Sequence, residues 1–93
     1  MKNPVNVIGP QVRQFRNAKG LSQPQFAALL QRKGWPASRG LVAKIETGER
    51  RAADFEAAFL ASALGVSVQE LYPQRKAGEV VFELITRLEK TRD

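Results

Sequence analysis

Apolar residues recur at helical spacing in two consecutive stretches near the middle of the chain, and a polar residue stands before each stretch. Ser22 is a good N-cap, and Gln25, three residues later, completes a capping box. The apolar positions that follow are Phe26, Ala27, Leu29 and Leu30. This pattern predicts a helix over about residues 23–33.

A second, shorter helix is predicted over about residues 38–47. Gly34 and Pro36 interrupt the pattern before it, and Ser38 can cap its first turn. The apolar positions of its inner face are Leu41, Val42 and Ile45. Its outer face is small, basic and rich in hydrogen-bond donors, and comprises Arg39, Gly40, Ala43, Lys44 and Thr47. Such a surface suits a groove that is lined with hydrogen-bond acceptors.

One helix is predicted on each side of this central pair. Before it, Pro10 fits a first helical turn and Gly20 ends the helix. The apolar positions of this first helix are Val12 and Phe15, joined by Ile8. After the central pair, a helix from about residue 54 to Leu64 carries two adjoining apolar stripes. The first stripe is Ala57, Leu60, Ala61 and Leu64, and the second is Phe55 and Phe59.

The remaining patterns complete an all-α chain with one core. Ser67 and Glu70 form another capping box, which predicts a short fifth helix before Pro73. We therefore expect a flexible or extended lead over residues 1–8 and a five-helix domain over residues 9–72. A linker and a C-terminal amphipathic helix occupy residues 73–93.

The C-terminal helix has an apolar face that needs a partner. This face comprises Val80, Val81, Leu84, Ile85 and Leu88. It either docks on the preceding core, against the stripe of Phe55 and Phe59, or pairs with the same helix of a second chain. Dimerisation is the favoured alternative, since DNA-binding proteins of this size commonly act as dimers.

Charge changes this picture because it is concentrated in the first half of the chain. The chain carries 15 Lys and Arg against 9 Asp and Glu, a formal charge of +6. Residues 1–53 hold ten of the basic residues and two of the acidic ones, for a net charge of +8. Such a field attracts a polyanion and makes binding depend on salt. The alternative is a solvated surface that only keeps the protein soluble.

The composition excludes several kinds of chemistry. The chain has no cysteine and no histidine, which removes disulfides, Cys-ligated zinc and His-based catalysis. The sequence shows neither metal-ligand spacing nor a phosphate-binding glycine loop, so we expect no enzyme, no metal and no cofactor. No apolar run approaches the roughly 20 residues that span a membrane. We expect a cytoplasmic protein located at the nucleoid, without membrane contact.

Three motifs occur in a fixed order along the chain: GLSQ at residues 20–23, IETGERR at residues 45–51, and ALGV at residues 63–66. In this combination the chain resembles the Cro and phage-repressor (XRE-like) family of helix-turn-helix domains, over about residues 8–72. The resemblance implies a regulator that binds double-stranded DNA, with its second helix across the DNA backbone and its third in the major groove.

The resemblance also implies which residues touch DNA. The matching positions are Ser22, Gln23, Ser38, Arg39, Gly40, Lys44, Arg50 and Arg51. Gln23, Arg50 and Arg51 match phosphate contacts, and Lys44 matches a contact to a base or a phosphate. Arg39 is the strongest candidate for base recognition, because a guanidinium can donate two hydrogen bonds to the O6 and N7 atoms of guanine.

Arg16 lies beside the apolar face of the first helix, which is an unusual place for a charge. From the residues alone, an exposed arginine is favoured over a buried ion pair with Glu46, because unpaired charges avoid the interior. The family has a buried pair at the matching positions. The resemblance therefore predicts an ion pair between Arg16 and Glu46.

The segment between the two central helices is longer than in the short form of the family. The extra residues fall in the run QRKGWPA and lengthen either the second helix or the turn. Trp35, within this run, either packs on the core or contacts a sugar-phosphate or a partner protein. A single aromatic residue beside a proline favours packing.

Two functions fit these patterns. The first is a sequence-specific transcriptional regulator, most simply a repressor, that binds a palindromic operator as a homodimer. The second is an antitoxin or another protein-interaction module that uses the same fold to bind a partner protein and operator DNA. A neighbouring toxin gene or a co-purifying small protein would favour the second.

Overall fold

The computed structural model of the chain describes residues 3–73 and, further along, residues 85, 86, 88 and 89. Residues 3–73 form four α-helices and one short 3₁₀ helix, with no strand among them. The helices are α1 (Gly9–Ala18), α2 (Gln23–Arg32), α3 (Arg39–Glu46), α4 (Asp54–Leu64) and the 3₁₀ helix (Val68–Leu71). For this part of the chain, the prediction of an all-helical fold is confirmed.

The ends of α2 and α3 lie within about one residue of the predicted positions, because their caps are explicit in the sequence. The Ser22 hydroxyl accepts the N–H of Gln25 at 3.2 Å, and the Ser22 N–H donates to Gln25 Oε1 at 2.8 Å. The Ser38 hydroxyl accepts the N–H of Leu41 at 3.0 Å. Since these bonds satisfy backbone donors that a helix otherwise leaves open, they fix where both helices begin.

The extra residues lengthen the turn and not α2, which ends at Arg32. The turn is nevertheless held firmly to α2. The N–H of Trp35 donates to the carbonyl of Leu30 at 3.0 Å, and the Gln31 amide donates to the carbonyl of Ala37 at 2.7 Å. Ala37 itself is completely buried. The long turn is therefore a fixed connection between the two helices.

The two predicted aromatic residues of α4 have different environments. The ring of Phe59 meets the ring of Trp35 edge-on, with 5.7 Å between the centroids, and both pack against the core. Trp35 therefore has the packing role that its sequence context favours. Phe55 is 71% exposed. The apolar stripe of Phe55 and Phe59 is thus divided between the core and the surface.

A single core lies between α1, α2, α3, α4 and the 3₁₀ helix. Its buried members are Ile8, Val12, Phe26, Ala27, Leu30, Ala37, Val42, Ile45, Ala57, Leu60, Ala61, Ala63, Leu64 and Leu71. Each large side chain among them contributes about 1.5–3 kcal/mol through burial. Because α3 contributes two of these residues, its inner face is fixed by the core and its outer face is left to solvent.

Residues 3–8 pack against the end of α3, whereas the sequence predicted a flexible or extended lead over residues 1–8. The N–H of Val5 donates to the carbonyl of Gly48 at 2.8 Å, and Asn6 and Ile8 are buried. Residues 3–8 contain no helix, as predicted, and they are packed on the folded domain. The physical reason is that Asn6 and Ile8 find partners far along the chain, which local pattern does not show.

The predicted fifth helix is a single 3₁₀ turn. The Ser67 N–H donates to Glu70 Oε2 at 2.7 Å, and the Ser67 hydroxyl accepts the N–H of Glu70 at 3.3 Å, so the predicted capping box is present. Only five residues separate Ser67 from Pro73, which leaves too little chain for an α-helix. The turn still delivers Leu71 to the core.

Most of the predicted linker and C-terminal helix lies outside the described residues. Val80, Val81 and Leu84 belong to that part of the chain. Of the predicted dimerisation residues that are described, Ile85 is 49% exposed and Leu88 is half-buried. Among the described residues, no helix combines the length and apolar character that crossing a membrane requires.

Candidate nucleic-acid interface

The outer face of α3 is exposed, as the helical pattern predicts. Arg39, Gly40 and Lys44 are open to solvent, and Ser38 stands at the N-terminus of the helix. A methyl group added at Gly40 would meet only the Ser38 hydroxyl, at 3.8 Å. The start of α3 is therefore open around Gly40, with Arg39 beside it and Lys44 exposed in the last turn of the helix.

The end of α3 is tied to α1 by a buried ion pair. Arg16 Nε donates to Glu46 Oε2 at 2.6 Å, and Arg16 Nη2 donates to Glu46 Oε1 at 3.0 Å. The two side chains are 9% and 2% exposed. The third donor, Arg16 Nη1, reaches the carbonyl of Leu21 at 2.7 Å. The structure thus brings together the two residues that the sequence paired through the family resemblance, and the pair raises the pKa of Arg16 through its hydrogen bonds to Glu46.

Gln23, a predicted phosphate contact, belongs to the same network. Its amide donates to Glu46 Oε1 at 3.1 Å while the residue remains half-buried at the start of α2. Ser22, the N-cap, is exposed beside it. The N-terminus of α2 carries a partial positive charge that suits a phosphate. Glu46 therefore orients Gln23 and connects the start of α2 with the end of α3.

The loop between α3 and α4 carries the two remaining predicted DNA contacts, Arg50 and Arg51, and their environments differ. Arg51 is exposed. Arg50 is engaged by Glu56, with Nη1 to Oε1 at 2.9 Å and Nη2 to Oε2 at 3.0 Å. These hydrogen bonds, aided by the N–H of Ala53, lower the pKa of Glu56, although burial acts in the opposite direction.

An open groove lies between α3 and this loop. On the side of α3 it is lined by Ser38, Gly40, Leu41 and Lys44, and on the side of the loop by residues 49–53. The groove therefore joins the predicted base-reading residues to the predicted phosphate-contacting loop on one surface. Arg39 is exposed at the start of α3 but does not line the groove, and the carboxylates of Glu49 and Glu56 line it beside the basic residues.

Asn6 is a buried polar residue that supports the candidate interface and that sequence reasoning missed. Its amide donates to the carbonyls of Ile45 and Arg50 at 3.1 and 2.8 Å, and its side-chain oxygen accepts the N–H of Gly9 at 2.8 Å. One buried side chain thus connects the start of α1, the end of α3 and the loop. The sequence gives little signal for this role, because the N-cap position of α1 is Ile8 and Asn6 lies two residues before it.

Glu56 is the second missed residue. Its position in the first turn of α4 is explained in sequence terms by the helix dipole. The structure adds the partners Arg50 and Ala53, which the sequence does not indicate. In the described part of the chain, no group of acidic side chains is placed to hold a metal ion.

Comparison with known proteins is consistent with this surface. Residues 7–72 match the family described as a helix-turn-helix domain. The chain is similar to the restriction-modification controller protein C.AhdI from Aeromonas hydrophila, at 34% identity and a TM-score of 0.61, over 70% of this chain and 87% of that one. It is also similar to the DNA-binding domain of BldD, at 31% identity and a TM-score of 0.63, over 72% of this chain and 90% of that one. No curated protein matches the chain.

Proposed function

We propose that this chain, which belongs to the family of helix-turn-helix domains, is a sequence-specific regulator of transcription that represses by binding an operator in double-stranded DNA. The observation that carries the proposal is the placement of α3. Its inner face is fixed by Val42 and Ile45 in the core, while Arg39 and Lys44 extend outward from its exposed side. This is the arrangement that a recognition helix needs to enter the major groove.

Base recognition is assigned to the first turn of α3. Arg39 is exposed at the start of the helix, where recognition helices contact base edges, and its guanidinium can bind guanine through two hydrogen bonds. Gly40 lets the backbone approach the DNA closely. Ser38 and Lys44 lie on either side of this turn and supply a hydroxyl and a second cation.

Phosphate contacts are assigned to the elements that border α3. The N-terminus of α2 offers the backbone N–H of Gln23 together with the side chains of Ser22 and Gln23, and the Gln23 side chain is held in place by Glu46. On the other side, Arg51 extends from the loop after α3. Contacts on both sides fix the orientation of the recognition helix without reading sequence.

The regulator is further proposed to act as a homodimer on a palindromic operator. Two copies of α3 would enter successive major grooves, with half-sites about 34 Å apart. The apolar pattern of Val80, Val81, Leu84, Ile85 and Leu88 supports a dimer contact near the C-terminus. The charge distribution supports a polyanionic ligand for the first half of the chain.

Selection from a randomised duplex library, at two salt concentrations, tests this proposal, with sedimentation of the free protein alongside. The proposal expects a palindromic motif, a dimer, and an affinity that falls steeply with salt. Weak binding without sequence preference by a monomer would contradict it. That result would direct attention to a partner protein, as in the antitoxin alternative.

A further inference from the structure

The carboxylate of Glu56 binds two residues of the loop between α3 and α4. Glu56 accepts both terminal nitrogens of Arg50, at 2.9 and 3.0 Å, and its Oε1 also accepts the N–H of Ala53 at 3.0 Å. Arg50 Nη1 donates in addition to the carbonyl of Arg51, at 2.9 Å. These bonds join the middle and the end of the loop to one side chain of α4.

The backbone of Arg50 is held as well. Its N–H donates to the carbonyl of Lys44 at 3.2 Å, and its carbonyl accepts the amide of Asn6 at 2.8 Å. Arg50 therefore contacts α3, α4 and the N-terminal segment at once. A residue fixed in this way determines the path of the chain on both sides of it.

The two arginines of the loop differ in the donors that remain for DNA. A guanidinium has five N–H donors, and Arg50 uses three of them on Glu56 and on the carbonyl of Arg51. If Arg50 left for a phosphate, Glu56, whose side chain is 11% exposed, would lose its partner. Arg51 is exposed, and its guanidinium makes no hydrogen bond or ion pair within the described residues.

We infer that Arg50 is a positioning residue: with Glu56 it holds the loop so that Arg51 faces the DNA, and Arg51 alone is the phosphate contact of this loop. This inference rests on the proposed function, and it revises the sequence prediction that both arginines contact phosphate. It also gives Glu56, an acidic residue beside a basic loop, a role in DNA binding.

The direction in which Glu56→Gln changes the affinity for DNA distinguishes a positioning role from an effect of net charge. Glu56→Gln raises the net charge by one, and electrostatics alone then predicts tighter binding to DNA. Positioning predicts weaker binding, because the loop loses the charged partner of Arg50. Glu49→Gln is the matched control. Glu49 lies on the same loop and is exposed, and in the described part of the chain its side chain bonds only to the Thr47 hydroxyl, at 2.8 Å.

The experiment measures the dissociation constant for the selected duplex at several salt concentrations. It uses the full chain and the variants Arg50→Gln, Arg51→Gln, Glu56→Gln and Glu49→Gln, each checked for a cooperative thermal transition. Arg51→Gln should reduce the slope of log K against log salt by about one. Arg50→Gln and Glu56→Gln should both weaken binding, on the order of tenfold, because binding must then order the loop, and they should leave the slope unchanged, since Arg51 still reaches its phosphate in the complex. Their double variant should be no weaker than either single one, and Glu49→Gln should bind at least as tightly as the wild type.

A slope reduced by about one in Arg50→Gln, together with tighter binding by Glu56→Gln, would overturn the inference. Failure of the proposed function looks different, since the wild type itself would then show no salt-dependent binding. In that case hydrogen exchange of the amides at residues 50–53 decides the positioning role. Faster exchange in both Arg50→Gln and Glu56→Gln would support it, and unchanged exchange in both would contradict it.

Discussion

Within the described residues, two Arg–Glu pairs lie near the C-terminal end of α3, and they differ in burial. The pair of Arg16 and Glu46 has side chains 9% and 2% exposed and joins α1 to α3. The pair of Arg50 and Glu56 has side chains 34% and 11% exposed and joins the loop after α3 to α4. The first pair holds α3 to the core, and the second holds the loop after α3 in position.

Because of this difference in burial, we expect the first pair to affect mainly the stability of the fold and the second to affect mainly DNA binding. Removing one partner of a buried pair leaves an unpaired charge in the interior, which is strongly destabilising. In the second pair Arg50 is about one-third exposed, so removing Glu56 leaves a charge that water can reach, and the loss of stability is smaller. Substitutions in the first pair should therefore be measured by unfolding, and those in the second by DNA affinity.

The largest effect is expected for Glu46→Ala. The substitution strands Arg16 in the interior and removes the partner of Gln23, and should lower the free energy of unfolding by about 3–5 kcal/mol. Urea unfolding followed by circular dichroism measures this loss. Glu49→Ala is an exposed control and should change stability by less than about 0.5 kcal/mol. Equal unfolding midpoints for the two variants would refute the structural importance of the buried pair.

A second test uses two glycines that lie on helices. A Cβ at Gly9 would overlap the carbonyl oxygen of Ile45 and lie 2.9 Å from that of Glu46, so Gly9→Ala must push α1 away from α3. We expect a loss of about 1–3 kcal/mol. Gly40→Ala has open space and should stabilise α3 by up to about 1 kcal/mol, through higher helix propensity.

Thermal and urea unfolding of the two glycine variants provide the measurement. A loss of stability in Gly9→Ala and a gain in Gly40→Ala would show that α1 packs tightly against the end of α3, whereas the start of α3 is open. Should Gly9→Ala leave stability unchanged, the close contact between α1 and α3 would be wrong. Gly40→Ala should also weaken DNA binding despite its stability, because the methyl group stands on the proposed base-reading surface.

The smallest effect is the pH dependence of the exposed pair. The pKa of Glu56 is lowered from its ordinary value of 4.5, chiefly by the hydrogen bonds of Arg50. Its contribution to stability is therefore present above that value and is lost as pH falls through the lowered pKa. The amount is on the order of 1 kcal/mol or less, because the pair is partly solvated.

This prediction is checked by urea unfolding of the wild type and Glu56→Gln between neutral and strongly acidic pH. The difference in stability between the two proteins should be constant near neutrality and should shrink in the acid range. A difference that keeps the same value at all pH values would contradict the ion pair of Glu56 with Arg50.

The sequence was sufficient to predict the starts of α2, α3 and the 3₁₀ helix, because each one depends on capping residues that lie close together in the chain. Ser22 with Gln25, Ser38, and Ser67 with Glu70 are capping residues within three positions of their partners, and the observed elements begin at them. The 3₁₀ form of the last element was missed, because capping shows where a helix begins but not whether one turn or more will follow. The family prediction is confirmed by the match over residues 7–72.

The sequence was insufficient where partners are distant or lie across a loop. Asn6 binds the carbonyl of Ile45, 39 positions away, and such a contact leaves no periodic signal. The residues alone favoured an exposed Arg16, and only the family resemblance pointed to its pairing with Glu46. Arg50 and Arg51 are indistinguishable as neighbours in a basic run, whereas the path of the loop places only Arg50 against Glu56.

The central claim is that the exposed start of α3 reads base sequence while the elements beside it contact phosphates. The most direct measurement is the ratio of affinities for the selected duplex and for random DNA, in the wild type, Arg39→Ala and Arg51→Ala. Arg39→Ala should reduce this ratio by a factor that corresponds to about 1–3 kcal/mol of binding free energy. Arg51→Ala should weaken both affinities alike and leave the ratio unchanged. Equal losses on both DNAs for Arg39→Ala would contradict the account.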